Sequence, residues 1–442
     1  MANRLCYDKR FIAKEEKPLS LSRNRILTTH VGSLPRPQDV VDLLFAQDKG
    51  EPYDSARFDE TMQRAVRDAV KKQADAGIDF VSDGEMSKIS YATYIRHRLT
   101  GFEPGNVPRA TPQDLDDFPE YRDKIASMGA TPKYLRPICK GPIGVKNLAP
   151  LHADIEHLKN AVSETPGVEG FMTAASPGTI AVFQPNEFYP SHEAYLEALA
   201  GAMREEYETI VNSGLILSVD CPDLGMGRHI RFRDVDDDEF VRNAHLQVEA
   251  LNHALANVPA DRVRMHICWG NYEGPHTRDI PLAKVLGALF KAKPSQLLIE
   301  GANPRHEHEW ELWKSHKLPA GKTLVPGVLD TSCNFVEHPQ LVAQRILRYA
   351  ELVGRDRVIA GTDCGFGTFA GFGAVYPTLC WMKLRSLREG ADIASKELWA
   401  KTAPAGKKAA SAKRASGKPS PKKASPKPAK KKAAVKKTAR KR

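Results

Sequence analysis

No run in the sequence approaches the roughly 18 consecutive apolar residues of a membrane span, so a membrane protein is not expected. An apolar signal segment is missing from the N-terminal residues. The seven cysteines, at 6, 139, 221, 268, 333, 364 and 380, are odd in number and widely spaced. Together these features argue against a disulfide-stapled secreted scaffold and predict a reduced, cytoplasmic setting. Acidic residues are absent from 401–442, where 17 of the 65 Lys+Arg fall. The first 400 residues hold the other 48 basic and all 54 acidic side chains, so the formal charge of +11 belongs to one end and the body is mildly acidic. Apolar residues make up 41% of the 442, enough to bury the core of one large barrel-type domain or two average domains.

Residues 401–442 contain almost only Lys, Ala, Pro, Ser and Arg, which cannot bury enough apolar surface to offset ordering entropy, and a disordered basic tail is expected there. Ser420-Pro421-Lys422-Lys423 and Ser425-Pro426-Lys427-Pro428 resemble the tails of linker-histone-like proteins. Such a tail either binds nucleic acid non-specifically through its phosphates or serves as a solubilising appendage. Residues 1–25 read as an irregular arm.

Between these ends the chain alternates short apolar runs with longer helical patterns, the mark of βα units around a parallel sheet. Eight runs stand out, at 26–33, 78–83, 169–175, 215–220, 262–268, 296–300, 324–329 and 357–363. Segments such as 192–213 and 239–257 repeat apolar residues at three- and four-residue spacing, as amphipathic helices do. The fold class expected is α/β, a (β/α)8 TIM barrel over 26–400. A Pro- and charge-rich insertion at about 100–160 holds a ninth candidate strand, 136–140, outside the barrel.

Active sites of such barrels lie at the C-terminal ends of the strands. There the sequence places Ser33, Asp83-Gly84-Glu85, Asp220, His266, Cys268, Glu300, Asp330 and Asp363-Cys364. His266 and Cys268 flank one residue, so on a strand both point to the same face. Taken alone, that pair also fits a buried thiol beside a hydrogen-bonded core imidazole. Glu300 and Cys364, closing two later strands, add a carboxylate and a second thiolate, and this N/S/O set suits Zn²⁺.

The order TTHVGSLPRP (28–37), DGE (83–85), SVDCPD (218–223), HIC (266–268), LLIE (297–300), GVLD (327–330) and TDCG (362–365) resembles the catalytic barrel of cobalamin-independent methionine synthases. The similarity runs from about Ile26 to Met382 and points to the single-barrel branch, which includes epoxyalkane–coenzyme M transferase-like proteins. The resemblance implies a zinc-dependent S-methyltransferase with His266, Cys268, Glu300 and Cys364 as ligands, homocysteine as the thiol and methyltetrahydrofolate as a candidate methyl donor. A zinc-dependent alkyl or epoxyalkane transfer to a coenzyme M-like thiol is the alternative.

By the same resemblance the amino-acid part of homocysteine would be held by Val31-Gly32-Ser33, Glu85 and Asp220. The donor half departs from the family. Phe183 stands where a pterin-stacking Trp is expected, Met226 where a Glu is expected, and Ser332 where a proton-donating His is expected. Asp330, His276 and His338 are then the alternative general acids. The stretch Trp269–His276 is either a lid over the metal or a loop packed on helices. Arg305-His306-Glu307-His308-Glu309 looks like a metal-binding tract by composition but reads as a solvated helix start. Truncation after Ala400 is expected to leave catalytic turnover intact, which a steady-state assay of the shortened chain checks.

Overall fold

The computed structural model describes residues 21–105, 111–127 and 136–400. Most of the N-terminal arm, parts of the insertion and the basic tail therefore lie outside the described residues. The strands are β1 (Leu27–Thr28), β2 (Phe80–Val81), β3 (Phe102–Gly105), β4 (Arg136–Cys139), β5 (Glu169–Ala175), β6 (Ile216–Asp220), β7 (Val263–Ile267), β8 (Gln296–Ile299), β9 (Thr323–Pro326) and β10 (Ile359–Ala360). The α-helices are α1 (Gln38–Lys49), α2 (Ser55–Asp75), α3 (Pro119–Ile125), α4 (Ala149–Ser163), α5 (Pro177–Phe183), α6 (His192–Asn212), α7 (Gly227–Ile230), α8 (Asp237–Ala254), α9 (Leu282–Lys291), α10 (Pro339–Val353) and α11 (Pro377–Ala400).

Parallel pairing runs β2-β5-β6-β7-β8-β9, with β1 paired to β10. Bridges Leu324↔Val358 and Gly327↔Gly361 join β9 to β10, and the hydrogen bond from Asp79 N to Thr28 O (3.1 Å) joins β2 to β1. The sheet thus closes on itself, and each of the eight runs expected from sequence supplies one strand of the ring. The antiparallel pair β3/β4 stands outside it, as expected for 136–140. The helix α4 packs on α2 and so belongs to the ring of helices, although 149–160 falls in the stretch read as insertion.

Helix starts follow local chemistry. Asp54, Ser176, Ser191 and Asp236 each cap a helix by accepting a hydrogen bond from its first-turn N–H groups. The barrel interior is filled by Val31, Phe80, Phe171, Ile216, Leu298, Val325 and Ile359, which alternate with residues facing the helices. Arg264 also lies inside. Its guanidinium sits 3.5 Å from the centre of the Phe171 ring and donates to Thr29 Oγ1 (2.8 Å) and His30 O (3.2 Å). Burial pulls this guanidinium down to about 9, against the attraction of Asp220 and Glu169.

Among the described residues no helix is long and apolar enough to cross a membrane, and the cysteines are free thiols. Phe171→Ala removes both the central ring and the cation's partner, and a loss of about 3–5 kcal/mol in unfolding free energy is expected. Urea titration measures it; a loss below about 1 kcal/mol would mean the interior collapses onto the gap.

Candidate active site

The C-terminal ends of the strands deliver the polar residues to one mouth. His266 ends in β7, Cys268 follows it, and Cys364 sits just beyond β10. Their ligand atoms lie within 4.8 Å of one another, an arrangement that can hold a metal ion. The two sulfurs are 3.7 Å apart. A tetrahedral ion bound by two thiolates at ~2.3 Å would hold the sulfurs about 3.8 Å apart, so the spacing fits. The remaining site partners fix the donors. His266 Nδ1 meets Asp220 Oδ1 at 3.2 Å, its Nε2 lies 3.1 Å from Asp363 O, and Gly270 N donates to Cys268 Sγ at 3.1 Å.

The electrostatics call for a cation at this point. Contact with Cys364, burial and the charge of Glu300 push the Cys268 thiol well above its ordinary range. Burial works against charge on His266, yet Asp220, Cys268 and Glu300 lift it to about 9. A bound divalent ion relieves both effects, because it lets the thiols ionise and the imidazole lose its proton.

Glu300 is not in the compact group of three. Its Oε1 accepts from Trp269 N (2.9 Å) and its Oε2 from Asn303 Nδ2 (2.7 Å). Asp363 ties the same loop down, accepting from the backbone N–H groups of Gly301, Ala302 and Asn303 at 2.7–2.9 Å. Glu300 therefore stands behind the trio, hydrogen-bonded to the backbone next to Cys268.

The trio opens into a cavity of about 370 Å³. Val31, Ser33, Glu85 and Asp220 line it. Gly32 acts from behind. A Cβ there would meet Thr173 Cγ2 at 2.3 Å, and Thr173 Oγ1 donates to Glu85 Oε1 at 2.9 Å. Glu85 itself adopts a left-handed φ of 58°, a strained conformation for a non-glycine residue. Its Oε2 receives no hydrogen bond among the described residues and lies 3.7 Å from Arg36 Nη2. Burial raises Glu85 to about 7, with Lys88 and Arg36 pulling down and Asp220 pushing up.

Other expected residues do not reach the cavity. Phe183 packs edge-on against Tyr91 (centroids 5.7 Å apart), and it is Tyr91 that lines the wall. Ser332 is turned into its own loop, donating through N and Oγ to Asp330 Oδ1 at 2.7 Å, while Asp330 N donates to Glu337. His276 has both nitrogens engaged, Nδ1 with Asp279 (3.0 Å) and Nε2 with Tyr272 O (3.1 Å). His338 caps α10. The 269–276 stretch divides between the cavity and the interior. Asn271 and Tyr272 line the cavity, whereas Trp269 is buried and donates to Ile280 O.

Sequence reasoning passed over Leu115 and Arg122 of the insertion, together with Phe369 and Phe372, all of which line the cavity. The insertion is tied to the β7 loop, since Tyr272 Oη reaches both oxygens of Asp114 at 2.9 Å and Arg278 reaches Asp117 at 2.6 Å. The one visible signal for the aromatic pair was the glycine–aromatic spacing GFGTFAGFG just after Cys364.

Fold and site together define a class: a (β/α)8-barrel enzyme with a thiol- and imidazole-lined centre at the mouth of the barrel. No family model matches the chain. The methionine synthase of Saccharolobus solfataricus is 26% identical over 380 residues, covering 84% of this chain and 95% of that protein. The methionine synthase of Sulfolobus acidocaldarius is 23% identical over 343 residues, covering 76% and 85%. Among solved structures, a B12-independent methionine synthase from Shewanella sp. W3-18-1, in complex with selenomethionine, superposes with a TM-score of 0.66 at 21% identity, covering 85% of this chain and 99% of that one. The resemblance read from the motifs is borne out: over most of its length the chain is similar to methionine synthases, and its fold is that of a B12-independent methionine synthase.

Because Glu85 is raised in the folded state, its favourable contribution is full at low pH and is lost as pH rises through about 7. Glu85→Gln should therefore match the wild type in stability near pH 4 and exceed it at pH 8. Paired urea titrations check this, and equal stability at both pH values would contradict the raised carboxyl.

Proposed function

We propose that this chain is a zinc-dependent S-methyltransferase that forms methionine by methylating homocysteine. The observation that carries the reading is the pair of sulfurs 3.7 Å apart beside His266, in the same cavity as Glu85 and Asp220. His266, Cys268 and Cys364 are the residues that would hold the ion, with Glu300 behind them as a further carboxylate. Bound zinc lowers the pKa of a coordinated thiol, so that it is present as a thiolate nucleophile near neutral pH.

The chain's own residues do the rest. Asp220 Oδ1 meets Nδ1 of His266 and Asp363 O meets its Nε2, and the two contacts fix the plane of the ring beside the sulfurs. Glu85 and Asp220 line the cavity together, and an ammonium group placed between them would form charge-assisted hydrogen bonds and draw Glu85 into its ionised form. That charge pattern favours an amino-acid thiol over a coenzyme M-like thiol, whose sulfonate would face two carboxylates. Selenomethionine in the Shewanella enzyme, a structural neighbour of this chain, supports the same assignment. Tyr91, Leu115, Met226, Phe369 and Phe372 give the remaining wall an apolar character suited to excluding water while an alkyl group is transferred. Methyltetrahydrofolate is the donor we propose to test first.

The free thiols and the absence of disulfides among the described residues support a cytoplasmic setting. For the tail, the 17 basic residues without an acid support non-specific, salt-sensitive binding of nucleic acid.

Cys268→Ser and Cys364→Ser should each remove most of the zinc and abolish methionine formation from homocysteine and methyltetrahydrofolate. Elemental analysis and product chromatography measure the two effects. Full zinc occupancy in both variants would refute the centre.

A further inference from the structure

Behind the cavity lies a buried cluster of charged and imidazole groups that the reaction outlined above does not use. Asp279, whose side chain is 5% exposed, is its hub. Its Oδ1 meets His229 Nε2 at 2.5 Å, and its Oδ2 meets His276 Nδ1 at 3.0 Å and His306 Nε2 at 2.8 Å. His306 Nδ1 in turn meets Glu309 Oε2 at 2.9 Å, and Glu309 Oε1 accepts from Leu282 N at 2.8 Å.

The three imidazoles come from three different loops. His229 lies on α7, in the connection after β6, whose end bears Asp220. His276 and Asp279 belong to the loop after β7, which begins at Cys268. His306 follows β8 and Glu300. One carboxylate therefore joins the three consecutive loops whose strands deliver Asp220, the His266/Cys268 pair and Glu300.

A direct path leads from the hub to the metal-site residues. The Trp269 indole packs at a tilt against the His306 ring with centroids 4.3 Å apart, and Trp269 N donates to Glu300 Oε1 at 2.9 Å. The His276 ring stacks on Tyr272, a cavity residue, at 4.2 Å. His276 holds a left-handed φ of 50°, a conformation that needs outside support, and its bond to Asp279 supplies some.

We propose that Asp279 is a positioning residue, the hub of a carboxylate–imidazole clamp that sets the placement of Cys268, Glu300 and Asp220 around the metal. The inference rests on the reading of His266, Cys268 and Cys364 as a metal centre. It also assigns the histidines of two stretches that the catalytic account leaves over: His276 and His306 hold the loops and do not act on substrate. Charge agrees with the geometry. Burial opposes ionisation of Asp279, but its three imidazole partners hold it far below the usual carboxylate range, and Asp279 and Glu309 lift His306 to about 10 against burial. Removing the one carboxylate that the three imidazoles share leaves each of them without that buried partner.

The test is zinc affinity by chelator competition, with the ligand-field spectrum of the cobalt-substituted protein as a geometric readout. Loss of such an outer partner typically weakens metal binding ~10–100-fold. Asp279→Asn should show that loss together with an altered cobalt spectrum. His308→Gln, from the same tract but exposed and outside the clamp, should match the wild type in both. His229→Gln removes only one tie and should weaken zinc binding by less, so it decides the matter if Asp279→Asn does not fold. Wild-type affinity and spectrum in the folded Asp279→Asn protein, or in His229→Gln where that protein is unfolded, would overturn the clamp. A wild-type protein that binds neither zinc nor cobalt would overturn the metal-centre reading itself.

Discussion

Two sulfur atoms held 3.7 Å apart in a buried cavity, with an imidazole and several carboxylates around them, form an arrangement that resists its own negative charge. The Cys268 thiol is pushed well above its ordinary range, and the His266 imidazole is driven toward its protonated form. A divalent cation at the centre reverses both tendencies at once. Much of the surrounding structure serves to keep these groups together. Asp220 holds His266, Gly270 N donates to Cys268, and Asp363 ties down the loop that carries Glu300. The closed barrel makes such convergence possible, because residues far apart in sequence, such as Cys268 and Cys364, emerge at one mouth.

The eight strands were readable in the sequence because each is a short apolar run bounded by polar residues, and because both sides of a parallel barrel strand are buried. The candidate ligands were readable for a related reason: their strand ends fix which way they face. Residues whose direction depends on a partner from another loop were not readable in this way. Glu300 turns to the backbone of Trp269, His276 to Asp279, and Ser332 to Asp330, and no local pattern announces those partners. Phe183 shows the same limit, since its aromatic character was evident but its place behind Tyr91 depends on packing. The end of the insertion was obscured by Pro150 at the start of α4, where a proline reads equally well as loop or first helical turn.

The substrate side divides along similar lines. The end of the cavity with Glu85 and Asp220 is built from strand-end residues and carries a clear charge signature. Other parts of the wall come from the insertion and from the glycine–aromatic loop after Cys364, segments whose path the barrel does not dictate. Tyr272 links the two halves, lining the cavity while its hydroxyl holds Asp114 of the insertion. Selectivity for the alkyl donor should therefore reside in these added segments, and thiol activation in the barrel itself.

X-ray absorption at the zinc edge tests the central claim most directly. The account predicts two sulfur scatterers at about 2.3 Å together with nitrogen in the resting protein, and a third sulfur once homocysteine is added. A shell of nitrogen and oxygen alone, or a sulfur count unchanged by homocysteine, would contradict it.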